Sequence, residues 1–464
     1  MKLTQIGWRR LVAGLAGAAL LALALPATAQ ADTGNLDPAA ASSLTIHKYD
    51  GSAGAAGDGS ALADTSALGN PLSGVQFTLT PVTAKSGAAI NLDTSAGWDL
   101  IAGIKASDVT AAGSVYSKDA ANAKVVTTNA SGIATQALPH GLYLVTETSP
   151  GANNVVSPVD PFLVTLPLPQ SGGKWLYDVH VYPKNAINKT VPTKTVSNPS
   201  SPVLGSTIDW TITAPVAPVG QGTLKTFTVV DTLDARLQYQ GVVVKNAAAT
   251  LVAGADYDVV QAGQKITVDL SKAVASGKVK PGDSPVVVLT TVVVSLGDGA
   301  IKNTALANTN TSGVQTNEPQ SNWGVLKVHN HAAGDTSKNL AGAELAVYVN
   351  QADAAPVGTL TTAADGTATI TLWVGNDSVV AKDYWIKETK APAGYVLPAN
   401  PWTQTNVKAG AVAVSTFDVP NTQQGHPDLP LTGANGRLYL MIGGGALLLL
   451  AIGAAIVVSR RRRV

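Results

Sequence analysis

The chain has 464 residues, a formal net charge of +1, 45% hydrophobic and 13% charged side chains, and no cysteine. The length suggests about three domains, and the near-neutral charge leaves no electrostatic footprint for nucleic acid. Lack of cysteine rules out a disulfide framework, thiol catalysis and Cys-ligated zinc, and the six His residues show no metal-ligand spacing, so no metal or other cofactor is expected.

In chain order, residues 1–31 read as a signal peptide. Lys2, Arg9 and Arg10 form a basic start, Leu11 to Leu25 an apolar core, and Ala29-Gln30-Ala31 a small-x-small cleavage site. The middle of the chain is rich in Val and Thr and alternates apolar with polar residues between Gly/Asp/Asn/Ser/Pro turns, which predicts an all-β fold. One helix is expected around Trp98 to Ile104. Domain boundaries are placed near Asn185 and Trp323, giving domains 35–185, 186–323 and 324–422, with 423–464 as a C-terminal tail. The first and third segments echo each other. Leu72-Ser73-Gly74-Val75 matches Leu340-Ala341-Gly342-Ala343, and the cluster Tyr143 to Gly151 matches Tyr384 to Gly394. Such an internal repeat predicts tandem β-sandwiches of related type.

Along Trp175-Leu176-Tyr177-Asp178-Val179-His180-Val181-Tyr182-Pro183-Lys184-Asn185, strand alternation puts Trp175, Tyr177, Val179, Val181, Pro183 and Asn185 on an apolar face. Asp178, His180, Tyr182 and Lys184 share the other. Lys184 is therefore expected to face solvent on an edge made tolerable by Pro183. The tail holds Leu429-Pro430-Leu431-Thr432-Gly433, then an apolar run from Leu438 to Val458 long enough to cross a bilayer, then the basic block Arg460 to Arg463.

The tail resembles the LPxTG cell-wall sorting signal, and the 175–185 segment resembles the pilin motif of sortase-assembled Gram-positive major (shaft) pilins of the SpaA/FimA type. That resemblance implies three tandem Ig-like (Cna-type) β-sandwiches flanked by the signal peptide and a C-terminal transmembrane helix. It implies cleavage between Thr432 and Gly433 by a pilus-class sortase, attack by Lys184 of another copy on the Thr432 acyl-enzyme, and a housekeeping sortase that joins the product to peptidoglycan. An exposed lysine amine is protonated at neutral pH, so the enzyme must supply the base. Minor pilins at tip and base, and a host surface receptor, are the further partners implied.

The resemblance also implies intradomain Lys–Asn isopeptide bonds promoted by a buried acid. The amine must be neutral and the acid protonated, and burial favours both; all three groups must therefore lie on core faces. Lys48, Glu147 and Asn185 meet that condition in the first domain, and Lys194, Asp231 and Asn303 in the second, with Lys189 a lesser rival as donor. The third domain departs from the pattern. Glu388 lies in a close match to the family's E-box and Asn421 aligns as acceptor, but Asn330 occupies the lysine position and Lys327 falls on the opposite face. No bond is expected there, and Glu388 is expected to hydrogen-bond Asn330 or Asn421.

The competing reading is a minor pilin or a monomeric wall-anchored adhesin, which would have no use for Lys184. No nucleophile–base order, phosphate loop or metal cluster supports a turnover enzyme.

Overall fold

The computed structural model describes residues 36–52, 54, 57–425 and 435–461. The expected signal peptide and the sorting pentapeptide 429–433 lie outside the described residues. The chain divides into two compact units, one of residues up to 153 with 159–184, the other of 154–158 with 185 onward.

In the first unit the strand Ser42–His47 lies between two partners. It runs parallel to Asp178–Val181, with Leu44 opposite Val179 and Ile46 opposite Val181, and antiparallel to Ile133–Leu138. A second sheet centres on Gln76–Lys85 and Gly141–Ser149, flanked by Phe162–Leu166 on one side and short strands on the other. Alternation drives Phe77, Leu79, Tyr143 and Val145 into the core. Gly141–Ser149 is buried on its other face as well. Leu142 and Leu144 pack against Ile101 and Val109, from the helices Ser95–Ile101 and Ala106–Thr110. The expected helix starts earlier than 98 because the Thr94 hydroxyl caps it, accepting the Gly97 N–H at 3.3 Å. Trp98 donates to Leu92 O and its ring lies 5.3 Å from that of Trp175, so the motif tryptophan packs against this helix.

The second unit holds two sandwiches. One pairs a sheet built on Thr193–Val196, Thr207–Thr213, Val286–Val293 and Leu237–Asn246 with a sheet built on Asp258–Ala262, Lys265–Asp269, Phe227–Thr232, Ala305–Thr309 and Ser312–Gln315. Trp210, Phe227, Ile266 and Leu289 fill the space between them. The other places Glu344–Tyr348 and Ala381–Lys390 against Gln320–Ala332, Thr367–Asn376 and Gly410–Gln423, around Leu326, Val328, Leu345, Leu372, Tyr384 and Ile386.

The boundary expected at Trp323 falls inside one strand. Gln320–Ala332 pairs with Ala300–Lys302 through its first three residues and, from Ser321 onward, with Thr367–Asn376 on its other edge. Trp323, fully buried, belongs to the core of the second sandwich, while Leu326 and Val328, on the same strand, belong to that of the third. Val203 bridges to Leu372, and Trp373 N donates to Pro202 O at 3.0 Å. At the tail, Asn435–Arg461 is helical. Within Leu438–Arg461 the most apolar stretch of 18 residues has a mean hydropathy of 2.5, and none of that stretch is buried against the rest of the chain.

The repeat between the first and third segments extends to individual hydrogen bonds. Thr128 Oγ1 donates to Leu72 O and accepts from Val75 N, and Thr362 Oγ1 does the same with Leu340 O and Ala343 N. Lys48 N donates to Gly132 O and Lys48 O accepts from Leu72 N; Asn330 N donates to Gly366 O and Asn330 O accepts from Leu340 N. Gly132 and Gly366 sit at φ 74° and 71°, each so close that a Cβ would stand 2.5 Å from the carbonyl of Lys48 or Asn330. Both positions require glycine.

Candidate cross-linking sites

The motif around Lys184 is three short strands rather than one, the first being Lys174–Leu176. Asp178–Val181 ends before Tyr182 and Pro183, and Lys184–Ile187 begins a new strand. Pro183 has no N–H for a ladder, while its carbonyl accepts from Tyr49 N at 3.2 Å. The alternation survives the break. Val179, Pro183 and Asn185 are buried and Asp178 is exposed. Trp175, Tyr177 and Val181 are only half-buried.

The face expected to be open to solvent is partly covered. His47, from the neighbouring strand, hydrogen-bonds His180 through Nε2 and Nδ1 at 2.9 Å and stacks on Tyr182 at 4.6 Å. Burial and the neighbouring His180 push the His47 pKa down. Sequence reading missed His47 because 133 residues separate it from His180 and no local pattern joins them. Lys184 itself is half-buried, its stem alongside Gly51. Among the described residues no ion pair holds its ammonium.

Three buried sets contain an acid. In the first unit Lys48 Nζ lies 2.9 Å from Glu147 Oε2, with side chains 0% and 1% exposed. The Phe77 ring is 5.5 Å from the amine. Lys48 follows Leu44 and Ile46 on the core face, and Glu147 follows Tyr143 and Val145. Burial depresses the Lys48 pKa to about 8, an effect that Glu147 only partly offsets. Asn185, at the start of the second unit, is fully buried.

In the second sandwich Lys194 Nζ lies 2.5 Å from Asp231 Oδ2 and donates to Thr304 O at 3.2 Å. Asn303 Nδ2 approaches the same carboxylate oxygen at 3.5 Å. Lys194, Asp231 and Asn303 are at most 3% exposed. Burial drives the Lys194 pKa down to about 8 and the Asp231 pKa up. Both shifts favour the neutral pair, amine plus carboxylic acid. The Asn303 carbonyl oxygen is buried with no hydrogen-bond partner. The rival Lys189 is exposed.

The third sandwich has no lysine in its set. Asn421 Nδ2 donates to both oxygens of Glu388, at 2.9 and 3.1 Å, and Asn330 Nδ2 donates to Oε1 at 3.4 Å. Asn330 and Asn421 are fully buried, and Glu388 is 3% exposed. Lys327 lies on the opposite face, half-exposed. Burial raises the Glu388 pKa. Sequence reading left open which asparagine meets the acid; both do.

A row of strand-built domains, buried acid–amide sets, and a tail with a pentapeptide, an apolar helix and basic residues define a surface protein of the Gram-positive pilin class. Family models agree along the chain. Residues 39–186 match the Gram-positive pilin subunit D1, N-terminal domain, and 185–322 the Sgo0707 N2 domain. Residues 326–419 match a prealbumin-like fold domain, and 421–464 the LPXTG cell wall anchor motif. The chain is 33% identical to the fimbrial subunit type 2 of Actinomyces naeslundii over 93% of its own length and 92% of that protein's. It is 30% identical to the fimbrial subunit type 1 of Actinomyces viscosus, over 92% of both. The structure of the full-length major pilin SpaD from Corynebacterium diphtheriae is 26% identical, with a TM-score of 0.59 over 84% of this chain and 99% of that one. The chain belongs to the family of Gram-positive fimbrial subunits, proteins of the cell-wall-anchored surface pilus.

Proposed function

We propose that this chain is the repeating shaft subunit of a covalent pilus, joined head to tail by an amide between Lys184 of one copy and Thr432 of the next. The observation that carries this reading is Lys184 itself. Its amine sits at the end of a proline-broken motif, half-exposed and unheld by any ion pair among the described residues, in a chain that also bears a sorting signal. A pilus-class sortase cleaves after Thr432 and holds that residue as a thioester. The Lys184 nitrogen displaces the enzyme's sulfur. A housekeeping sortase transfers the finished polymer to peptidoglycan. Minor pilins cap the tip and the base, and a host surface receptor is the distal partner. The chain turns over no substrate of its own.

Within the subunit, Lys48 bonds to Asn185 with Glu147 as the acid, and Lys194 to Asn303 with Asp231 as the acid. Support comes from burial of all six groups and from depression of both lysine pKa values. In each reaction the neutral amine attacks the side-chain amide carbon, the carboxylic acid polarises its oxygen, and ammonia leaves.

Lys184→Ala is expected to abolish the high-mass ladder on denaturing gels of wall extracts while leaving a wall-linked monomer. An unchanged ladder would defeat the shaft assignment and leave a wall-anchored monomer or minor pilin.

A further inference from the structure

We propose that Glu388 and Asn421 form an intact acid–electrophile pair for amide formation that lacks only its nucleophile, and that the site accepts a primary amine at position 330. The inference rests on the reading of the Lys–acid–Asn sets given above and extends it to a domain without the lysine.

Position 330 is the counterpart of position 48. The backbone of each donates to a left-handed glycine's carbonyl (Gly132 or Gly366) and accepts from the leucine N–H that opens the matching turn (Leu72 or Leu340). The acids correspond as well. Glu147 stands opposite Phe77 in the register of its sheet, and Glu388 opposite Leu345. The first and last strands of the third sandwich run parallel, with Asn330 paired to Val419 and Ala332 to Asn421. Side chains alternate along a strand, so Asn330 and Asn421 project from one face toward the same carboxyl.

The chemistry left in place is specific. Buried amide oxygens are expected to find donors, yet those of Asn330 and Asn421 have none. A protonated Glu388 supplies one O–H. Turning the Asn421 amide over brings its carbonyl to that proton, the arrangement that polarises the carbon for attack. Asn330 brings only an amide N–H₂, whose lone pair is delocalised and not nucleophilic, so the native site stays unreacted. An amine there would form a bond to Asn421 Cγ as the Cγ–Nδ2 bond breaks. One amine proton passes through Glu388 to the leaving nitrogen, which departs as ammonia. A cavity of about 160 Å³ beside Glu388, walled by Leu345, Ile386, Pro398 and Pro401, gives ammonia an exit.

The test is Asn330→Lys, read by intact mass of the full chain. The substituted protein is expected to lose one ammonia more than the native chain, about 17 Da per amide formed. Fragment spectra should join residues 330 and 421, and adding Glu388→Gln should remove the extra loss. Equal losses in native and Asn330→Lys chains, from protein whose third sandwich melts cooperatively, would overturn the proposal. The native chain's own losses report separately on the first two domains, so either reading can fail alone. Where the lysine variant does not fold, infrared difference spectra between the native and Glu388→Gln chains decide the matter. A protonated carboxyl band that persists above the ordinary carboxylate range is expected in the native chain; ionisation within the ordinary range would remove the acid and the proposal with it.

Discussion

Asn303→Ala isolates the cross-link proposed for the second sandwich, because it removes the acceptor while leaving Lys194 paired to Asp231 at 2.5 Å. No buried charge loses its partner, which would itself cost about 3–5 kcal/mol. The contact given up, Asn303 Nδ2 to Asp231 at 3.5 Å, is too long to contribute much. The loop closed by a Lys194–Asn303 bond spans 303 − 194 = 109 residues. The chain-entropy relation used for disulfides gives about 4.8 kcal/mol at 25 °C for such a loop. Truncation at a site 3% exposed adds about 1 kcal/mol for lost packing. The segment matched as this domain, 185–322, unfolds with an entropy of roughly 0.29 kcal/mol/K on the usual per-residue value, so about 6 kcal/mol lowers its transition by roughly 20 °C. Scanning calorimetry should show one transition falling by that amount while the others hold. Intact mass should show one fewer ammonia loss than the native chain. A shift under roughly 5 °C with no change in the number of ammonia losses would mean that no bond exists to remove, and the argument from burial to reaction would fail.

The third sandwich should respond to pH through Glu388. Its folded pKa is raised by burial, so above the ordinary carboxylate range the folded state holds a proton that the unfolded chain has released. Stability from this group is full at acid pH and declines as pH climbs toward the raised value. Melting of this domain between pH 4 and 8 should show the decline in the native chain and its absence in Glu388→Gln; equal slopes would place the carboxyl in an ordinary ionised state. Gly366→Ala forces a Cβ to within 2.5 Å of Asn330 O at φ 71°. It should destabilise the same domain by more than about 1 kcal/mol, measurable by urea titration, and a neutral result would contradict the backbone geometry that equates positions 330 and 48.

The strand alternation was legible wherever one face met a core and the other met water. Lys48, Lys194, Asp231 and Asn303 could be placed inside from their apolar neighbours two residues away. Alternation gives less where both faces are covered. Gly141–Ser149 is packed on each side, and nothing local announces that helices cover Leu142 and Leu144. Contacts between distant strands were equally silent: the His47–His180 pair depends on a parallel register between strands more than a hundred residues apart. The continuity of the strand through the Trp323 boundary was silent for a related reason. Composition marks a change of domain, but a strand can serve two cores in succession without a turn residue to signal it.

That strand, Gln320–Ala332, bears on how such a protein can be inherited. Ser321, Asn322 and Trp323 are fully buried, so the joint offers a protease no exposed linker to nick. Nor can recombination swap the third module cleanly, because a breakpoint at 323/324 would leave residues 320–323 with the second core and take from the third sheet its pairs Ser321–Asn376 and Asn322–Gly375. The two C-terminal sandwiches are joined through one buried, shared strand where the sequence suggests a simple joint.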